Sequence, residues 1–245
     1  MPTVFFDRKS IPHKIRSIFL GATLMCSAIS QPANAEENLV AAIDLAIKPD
    51  AVMCEKARLV NAELRKDYPQ GFALDSTHNP HITLLQRYVK TADLQKVYDI
   101  AGDIVHRENP LRWKLEASKY YYSPGGTTSL AFIAVKPTAD LARLQKELIE
   151  AVAPYSVPSG DKSAFVITKE EPDIEQFTMN FVSAYLERAS GEKFNPHVTV
   201  GVSTSEYLDK LLAQPFEKFS FSPAGVCIYQ LGNHGTARKL LKDLE

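Results

Sequence analysis

Two copies of one short motif carry the side chains that could do chemistry in this chain. Residues 79–84 read Asn-Pro-His-Ile-Thr-Leu, and residues 195–200 read Asn-Pro-His-Val-Thr-Val. Four of the six positions are identical, and the other two exchange one aliphatic residue for another. An imidazole can take up or release a proton near neutral pH, and a hydroxyl can donate a hydrogen bond to an oxyanion. The repeated motif therefore predicts acid-base chemistry on a small anion such as a phosphate.

Each motif has the pattern of a β-strand whose two faces differ. Side chains alternate along a strand, so His81 and Thr83 share one face, and His197 and Thr199 share a face in the second copy. Residues two apart on a strand lie about 6–7 Å apart, which lets both side chains of a copy contact one phosphate. One His-x-Thr strand alone would be weak support for a site. Its repetition with the same flanking residues favours a functional interpretation.

The elements around the motifs follow a similar order in the two halves of the chain. In the first half, the pattern predicts a strand at 39–47 and a helix from about 50 to 67 with Leu59, Val60 and Leu64 on its apolar face. The motif strand then runs to about 89. A helix at 91–108 capped by Thr91 and a strand at 111–122 follow. The second half predicts a strand at 128–135, helices at 138–152 and 174–188, the second motif strand, a helix at 203–214, strands near 219–221 and 225–231, and a basic tail. Residues 154–173 are irregular, and they form either a lid or a plain surface loop.

This order indicates an internal duplication. Two similar halves packed about a pseudo-twofold axis would bring the motif strands to a shared cleft. We therefore expect His81, Thr83, His197 and Thr199 to lie around one site, although the two histidines are 116 residues apart in sequence.

Residues 1–35 have the features of an export signal. Four basic residues precede a mostly apolar stretch at 17–30, which is too short to span a bilayer as a helix, and residues 33–35 offer a small-x-small cleavage pattern. An uncleaved membrane anchor is the alternative. We expect one bilobal domain at 36–245, exported to a bacterial periplasm or secreted, with no membrane contact after cleavage.

The composition of residues 36–245 limits the partners of this domain. Removing the leader leaves 24 basic and 28 acidic residues, a net charge of about −4, which disfavours binding of long nucleic acid through its phosphates. A small or terminal nucleotide remains compatible with this charge. Cys54 and Cys227 could pair in an oxidising compartment, or both could be buried thiols.

The paired His-x-Thr-aliphatic motifs resemble those of the 2H phosphoesterase superfamily, which includes 2′,5′-RNA ligase-like proteins and 2′,3′-cyclic nucleotide phosphodiesterases. The resemblance covers most of residues 36–245 in outline, and only the two motifs are specific. It implies an α+β, bilobal, duplicated fold with antiparallel sheets around a central cleft and helices outside. Carried over, His81 and His197 take the catalytic places, and Thr83 and Thr199 the phosphate-binding places.

The chemistry expected of such a site is hydrolysis of a cyclic phosphodiester. One histidine would activate water and the other would protonate the leaving ribose oxygen, without a metal or another cofactor. We expect a monomer that opens 2′,3′-cyclic phosphates of nucleotides or related small molecules. RNA-end processing or 2′,5′-RNA ligation, and a non-catalytic nucleotide-binding protein, are the alternatives. The export signal departs from the mostly intracellular members of the family and disfavours ligation.

The remaining histidines and the tyrosine cluster are given structural interpretations. His78 lies three residues before His81, but no further ligands complete a zinc site. His106 and His234 are expected at the surface. Tyr120 to Tyr122 could stack on a base, although alternation sends Tyr121 to a different face from its neighbours, so packing is the favoured role.

Overall fold

Helices and strands follow one another along the chain in nearly the predicted order. The structure is a computed structural model that describes residues 39–123 and 126–244, so the predicted export signal lies outside the described residues. The strands are β1 (Val40–Pro49), β2 (Ile82–Lys90), β3 (Leu115–Ser123), β4 (Thr128–Val135), β5 (Ser156–Val157), β6 (His197–Thr204), β7 (Phe219–Phe221), β8 (Pro223–Leu231) and β9 (Ala237–Asp243). The helices are α1 (Ala51–Asp67), α2 (Leu94–Glu108), α3 (Ala139–Val152), α4 (Gln176–Ser183), α5 (Tyr185–Ala189) and α6 (Ser205–Leu212).

The strands form two antiparallel sheets, and each sheet holds one motif strand. The first sheet has the order β5-β2-β1-β8-β9, and the second has the order β6-β4-β3-β7. Every strand pair is antiparallel. The chain crosses to the second sheet at β3, returns to the first sheet for β5, crosses again for β6 and β7, and ends in the first sheet with β8 and β9. These sheets, with the helices packed on them, confirm the predicted α+β class.

Each half of the chain packs its first helix on the sheet that carries the other half's motif. Helix α1 lies against β6, and helix α3 lies against β2. Helix α1 begins after Asp50, whose carboxylate accepts a hydrogen bond from the Met53 backbone at 3.2 Å, as expected of an N-cap. This exchange of helices joins the two halves through their buried faces.

Helix α1 buries a face different from the predicted one. Its buried positions are Met53, Ala57, Asn61 and Leu64, which recur at helical spacing. Leu59 is 59% exposed, so its assignment to the apolar face was wrong. The polar Asn61 lies on this buried face, among apolar side chains.

Both motif strands contain a β-bulge at the last motif residue, immediately after the threonine. On β2 the register passes from Thr83 to Leu85 across one step of β1, which leaves Leu84 without an opposite residue. On β6 the register passes from Thr199 to Gly201 across one step of β4, which leaves Val200 without one. Bulges bend a strand and re-aim the side chains beside them, and they occur often next to active sites.

Three predictions about individual elements were wrong. Thr91 does not cap α2, because a short 3₁₀ turn at Thr91–Asp93 intervenes and its hydroxyl donates to the Leu39 carbonyl at 3.2 Å. The helix predicted at 174–188 is broken at Ala184 into α4 and α5. The basic tail forms the edge strand β9, where lysines are common because they oppose further strand pairing.

Two further observations bear on the sequence predictions. No disulfide joins Cys54 and Cys227 in the structure, and Cys227 is buried within β8. Among the residues that the structure describes, no helix has the length and apolarity needed to cross a membrane.

Candidate active site

The two motif histidines are held by the same local geometry. Nδ1 of His81 lies 2.7 Å from the carbonyl of Asn79, and Nδ1 of His197 lies 2.7 Å from the carbonyl of Asn195. A carbonyl only accepts hydrogen bonds, so Nδ1 carries the proton in each neutral ring. Nε2 is thereby left as the atom that can exchange a proton with a substrate in both copies.

His81 lies beside a buried carboxylate. Its Nε2 is 3.4 Å from Oδ2 of Asp44, a residue of β1 with no solvent exposure. Burial alone would lower the pKa of His81, but the hydrogen bond and charge of Asp44 outweigh it, so the pKa of His81 is raised above its usual value. His81 is therefore the motif histidine that holds its proton more strongly.

His197 has aromatic neighbours instead. Its ring lies edge-on to Phe132 at 4.6 Å and to Tyr121 at 5.8 Å between centroids. Burial against such groups lowers the pKa of His197 to about 4, a shift that the hydrogen bond to Asn195 opposes and the positive charge of His81 reinforces. The residue as a whole is partly exposed. His197 is therefore neutral at pH 7, with Nε2 available as a base.

The two motif threonines differ in the same way. The Thr83 hydroxyl donates to Oδ2 of Asp44 at 2.8 Å, so its proton is already engaged. Among residues 39–123 and 126–244, the Thr199 hydroxyl has no hydrogen-bond partner. The Thr199 hydroxyl can therefore donate a hydrogen bond to a bound anion. The Thr83 hydroxyl can do so only if its hydrogen bond to Asp44 is broken.

The structure brings residues of the two motifs together at one cavity. Its lining consists of Phe72, Leu74, His78, Asn79, His81, Thr199, His234, Gly235 and Thr236. His81 comes from the first motif and Thr199 from the second. The positive charge of His81 also lowers the pKa of His197. The structure therefore brings His81 and Thr199 together at this cavity, whereas Thr83 and His197 are not among its lining residues.

The sequence model of the 2′-5′ RNA ligase superfamily matches residues 54–235, which are 182 of the 245 residues and include both motifs. The chain belongs to this superfamily. Its members are phosphoesterases or ligases, and the paired histidines are consistent with phosphodiester chemistry. The resemblance inferred from the two motifs is thereby confirmed.

Three solved structures are similar to this superfamily member. The protein TT0787 of Thermus thermophilus is 15% identical, with 82% of this chain and 96% of that chain covered and a TM-score of 0.49. E. coli LigT in apo form is 16% identical, with coverage of 83% and 96% and a TM-score of 0.45. E. coli LigT complexed with 3′-AMP is 16% identical, with the same coverage and a TM-score of 0.42. No curated protein sequence gives a significant match.

Sequence reasoning missed several residues that this superfamily member places at the site. Asp44 is a polar residue within an apolar predicted strand, and its contacts with His81 and Thr83 depend on strand pairing. His234 was expected at the surface, but it lines the cavity and stacks with Phe72 at 6.3 Å. A polar residue within a buried strand is the one signal that could have identified Asp44.

The tyrosine cluster divides between the site and the packing of the second sheet. Tyr121 contacts His197 and accepts a hydrogen bond from the Asn195 amide at 2.9 Å. Tyr120 packs edge-on against Phe216 at 4.7 Å between ring centroids, and the Tyr122 hydroxyl donates to the Asp209 carboxylate at 2.7 Å. Alternation thus predicted the separation. Tyr121 also stacks on Phe132 at 4.8 Å between ring centroids, in keeping with the packing role that the sequence favoured.

The interpretation of His78 as a metal ligand has no further support in the described part of the chain. Across residues 39–123 and 126–244, no three His, Cys, Asp or Glu side chains are grouped to hold a metal ion. His78 instead stacks on Phe72 at 5.3 Å and lies within 3.3 Å of Glu171. Burial and the nearby Arg238 charge lower the pKa of His78, which keeps the ring neutral.

Proposed function

We propose that this protein is a phosphodiesterase that opens 2′,3′-cyclic phosphates of nucleotides or related small molecules, with His197 as general base and His81 as general acid. The observation that carries the proposal is the opposite electrostatic setting of two histidines that share one local geometry. An acid-base pair needs one protonated and one neutral group at the same pH, and these settings favour that state.

In the proposed reaction, His197 activates the attacking water. Its neutral Nε2 accepts a proton from the water as the water oxygen forms a bond to phosphorus. The proton on Nδ1 stays on the ring and remains hydrogen-bonded to the Asn195 carbonyl, so the ring keeps its orientation throughout the transfer. A pKa of about 4 makes His197 a weak base, but one that is neutral over the whole physiological range.

His81 completes the reaction from the other side of the phosphorus. The bond from phosphorus to one ribose oxygen breaks, and Nε2 of His81 gives its proton to that oxygen. The product is a phosphomonoester with an adjacent free hydroxyl, and both rings return to their starting states by exchange with solvent. The 3.4 Å separation from Asp44 is longer than a strong N–H···O bond, so the proton remains accessible to a substrate.

The threonines and the acidic charge of residues 36–245 support a small phosphate substrate. The Thr199 hydroxyl would donate to a non-bridging oxygen, where negative charge grows in the transition state. The proposal also includes export of the chain with cleavage after residue 35, action as a monomer and independence from metals. The net charge of about −4 favours a mononucleotide over a long RNA.

RNA-end processing is the second candidate, because the superfamily takes its description from 2′-5′ RNA ligation. It would use the same histidines on the terminal cyclic phosphate of an oligonucleotide. Comparing kcat/KM for a 2′,3′-cyclic mononucleotide and for an oligonucleotide with the same terminal base separates the two candidates. A strong preference for the oligonucleotide would replace the first proposal with the second.

The decisive experiment incubates the purified protein with a panel of 2′,3′-cyclic mononucleotides in excess chelator. We expect ring opening to one phosphomonoester, and no turnover by the His81→Ala/His197→Ala double variant. An exposed histidine supplies the matched control, since His106→Ala on α2 should retain full activity. Loss of activity on chelation, or turnover by the double variant, would contradict the proposal.

A further inference from the structure

The bulge in each motif strand is held by a buried side-chain amide from the other half of the chain. The carbonyl of Leu84 accepts from Gln145 on α3 at 3.1 Å, and the carbonyl of Val200 accepts from Asn61 on α1 at 2.9 Å. These two carbonyls occupy the same position in the two motifs, immediately after the threonine. Bulge residues leave the regular ladder, so their backbone groups need other partners when they are buried.

Asn61 uses both ends of its amide. Its side chain is buried, with a relative exposure of 4%. Besides Val200, its nitrogen donates to the Phe72 carbonyl at 3.0 Å, and its oxygen accepts from the Leu74 backbone at 3.0 Å. Residues 72–74 belong to the segment that leads into the first motif. Asn61 therefore joins the approach to one motif with the bulge of the other.

Gln145 makes the same connection in the opposite direction. Its side chain is 2% exposed, and its nitrogen donates to the Ala189 carbonyl at 2.9 Å as well as to Leu84. Ala189 ends α5, in the segment that leads into the second motif. Gln145 thus joins the approach to the second motif with the bulge of the first.

We infer that Asn61 and Gln145 are positioning residues that fix the two His-x-Thr strands relative to each other across the cleft. The inference rests on the proposed function, since it assigns these amides to that same site. Each amide contacts both motifs' segments, so loss of either one would move both histidines. Neither residue lies on a motif, and both belong to helices that an apolar pattern would assign to the core alone.

The physical reason is the narrow geometry that proton transfer to and from one phosphate requires. A displacement of about 1 Å can cost about 100-fold in rate even when the chemical groups are intact. A bulge whose carbonyl loses its buried donor has to shift or admit water, because an unpartnered buried acceptor is unfavourable. The threonine beside the bulge and the histidine two residues earlier would follow that shift.

The test replaces each amide by the isosteric carboxylate, Asn61→Asp and Gln145→Glu. Each change preserves volume and one acceptor oxygen but turns the donor nitrogen into an oxygen that faces a carbonyl. Exposed amides supply matched controls, Asn180→Asp on α4 and Gln95→Glu on α2. Asn61→Leu and Gln145→Met, which remove the donor without adding charge, form a second pair if a carboxylate variant does not fold.

A stability control separates positioning from general weakening. Val152→Ala on α3 removes buried apolar atoms seven residues beyond Gln145 without removing a hydrogen-bonding side chain. With all proteins assayed at the same interval below their Tm, we expect kcat of the amide variants to fall about 10- to 100-fold with KM within about twofold. Val152→Ala should retain kcat. Equal losses of kcat in Val152→Ala and the amide variants would overturn the inference.

A readout without substrate distinguishes this inference from the proposed function. In histidine-ring NMR spectra, each amide variant should move the signals of both His81 and His197 and leave that of His106 unchanged. Movement of only one motif histidine in both variants would overturn the inference. If the unmodified protein opens no cyclic phosphate, the proposed function fails, while the NMR result still decides whether the amides position both motifs.

Discussion

The two motif copies share their local geometry and differ in the strand that lies beside them. In both copies Nδ1 donates to the preceding asparagine carbonyl, and a bulge follows the threonine. In the first copy the register places Asp44 opposite Gln86, and the carboxylate contacts the motif. In the second copy the corresponding pair is Leu130 and Val202. The local backbone geometry is thus shared, while the neighbouring strand carries a carboxylate at this position in one half and a leucine in the other.

This difference explains how one motif can supply two chemical roles. A histidine's proton affinity is set by burial and nearby charge, which the motif itself does not encode. Asp44 and Phe132 lie on the strands paired with the motifs, and they shift the pKa of the nearest histidine in opposite directions. The site is therefore symmetric in backbone and asymmetric in electrostatics.

The largest effect is expected from removing either motif histidine alone. His81→Ala and His197→Ala should each lower kcat by about 100- to 10,000-fold, the range that one proton transfer typically contributes. Turnover of a cyclic nucleotide is the measurement, with circular dichroism to confirm that each variant is folded. Near-normal kcat in either folded variant would contradict the two-histidine mechanism.

The threonine pair tests whether the copies differ in phosphate binding. Thr199→Val should lower kcat about 100- to 1,000-fold, as expected when a donor to a developing oxyanion is lost. Thr83→Val should cost less, because the Thr83 hydroxyl donates to Asp44. Steady-state kinetics of the two variants side by side gives the comparison. A larger loss from Thr83→Val would mean that Asp44 does not retain that hydroxyl when substrate binds.

The alkaline limb of the pH profile should report His81. The acid must be protonated, so activity is lost as pH rises through the raised pKa of His81. In Asp44→Asn, burial remains without the carboxylate, so this limb should move to lower pH. A shift of one pKa unit lowers kcat/KM at pH 8 about tenfold. The exposed Asp103→Asn on α2 is the matched control, and an unmoved limb in Asp44→Asn would refute the role of Asp44.

The acid limb should report His197, with the smallest effect. The base must be neutral, so activity is lost as pH falls through a pKa of about 4. Leu130→Asp places a carboxylate at the position that corresponds to Asp44, which should raise the pKa of His197. We expect kcat/KM at pH 5 to fall about three- to tenfold, with little change at pH 7. Thr128→Asp, at the first residue of β4 and two residues before Leu130, should leave this limb in place.

The sequence predicted those features of the fold that depend on local pattern. The strand at 128–135 and the helix capped by Thr138 were predicted within one residue, because alternation and capping signals are contained in the segment itself. Strand β9 and the 3₁₀ turn at Thr91 were not, because pairing with β8 and contact with Leu39 depend on distant parts of the chain.

The site shows the same division between local and distant information. His81, Thr83, His197 and Thr199 were predicted from the repeated motif, and the structure places His81 and Thr199 at one cavity. The asymmetry between them could not be read from the motifs, since Asp44 lies 37 residues before His81 and reaches it through strand pairing. The bulges whose carbonyls accept from Asn61 and Gln145 likewise depend on how the strands pair. A single sequence does not show that pairing register.

The most direct test of this account is an NMR titration of the two motif histidines in one sample of the unmodified protein. Ring signals assigned through His81→Ala and His197→Ala would be followed from pH 3.5 to 9, about the range over which both groups are expected to titrate. The account predicts that His81 titrates above the ordinary histidine value of about 6.5 and His197 near 4. Equal values, or a higher value for His197, would contradict the assignment of acid and base.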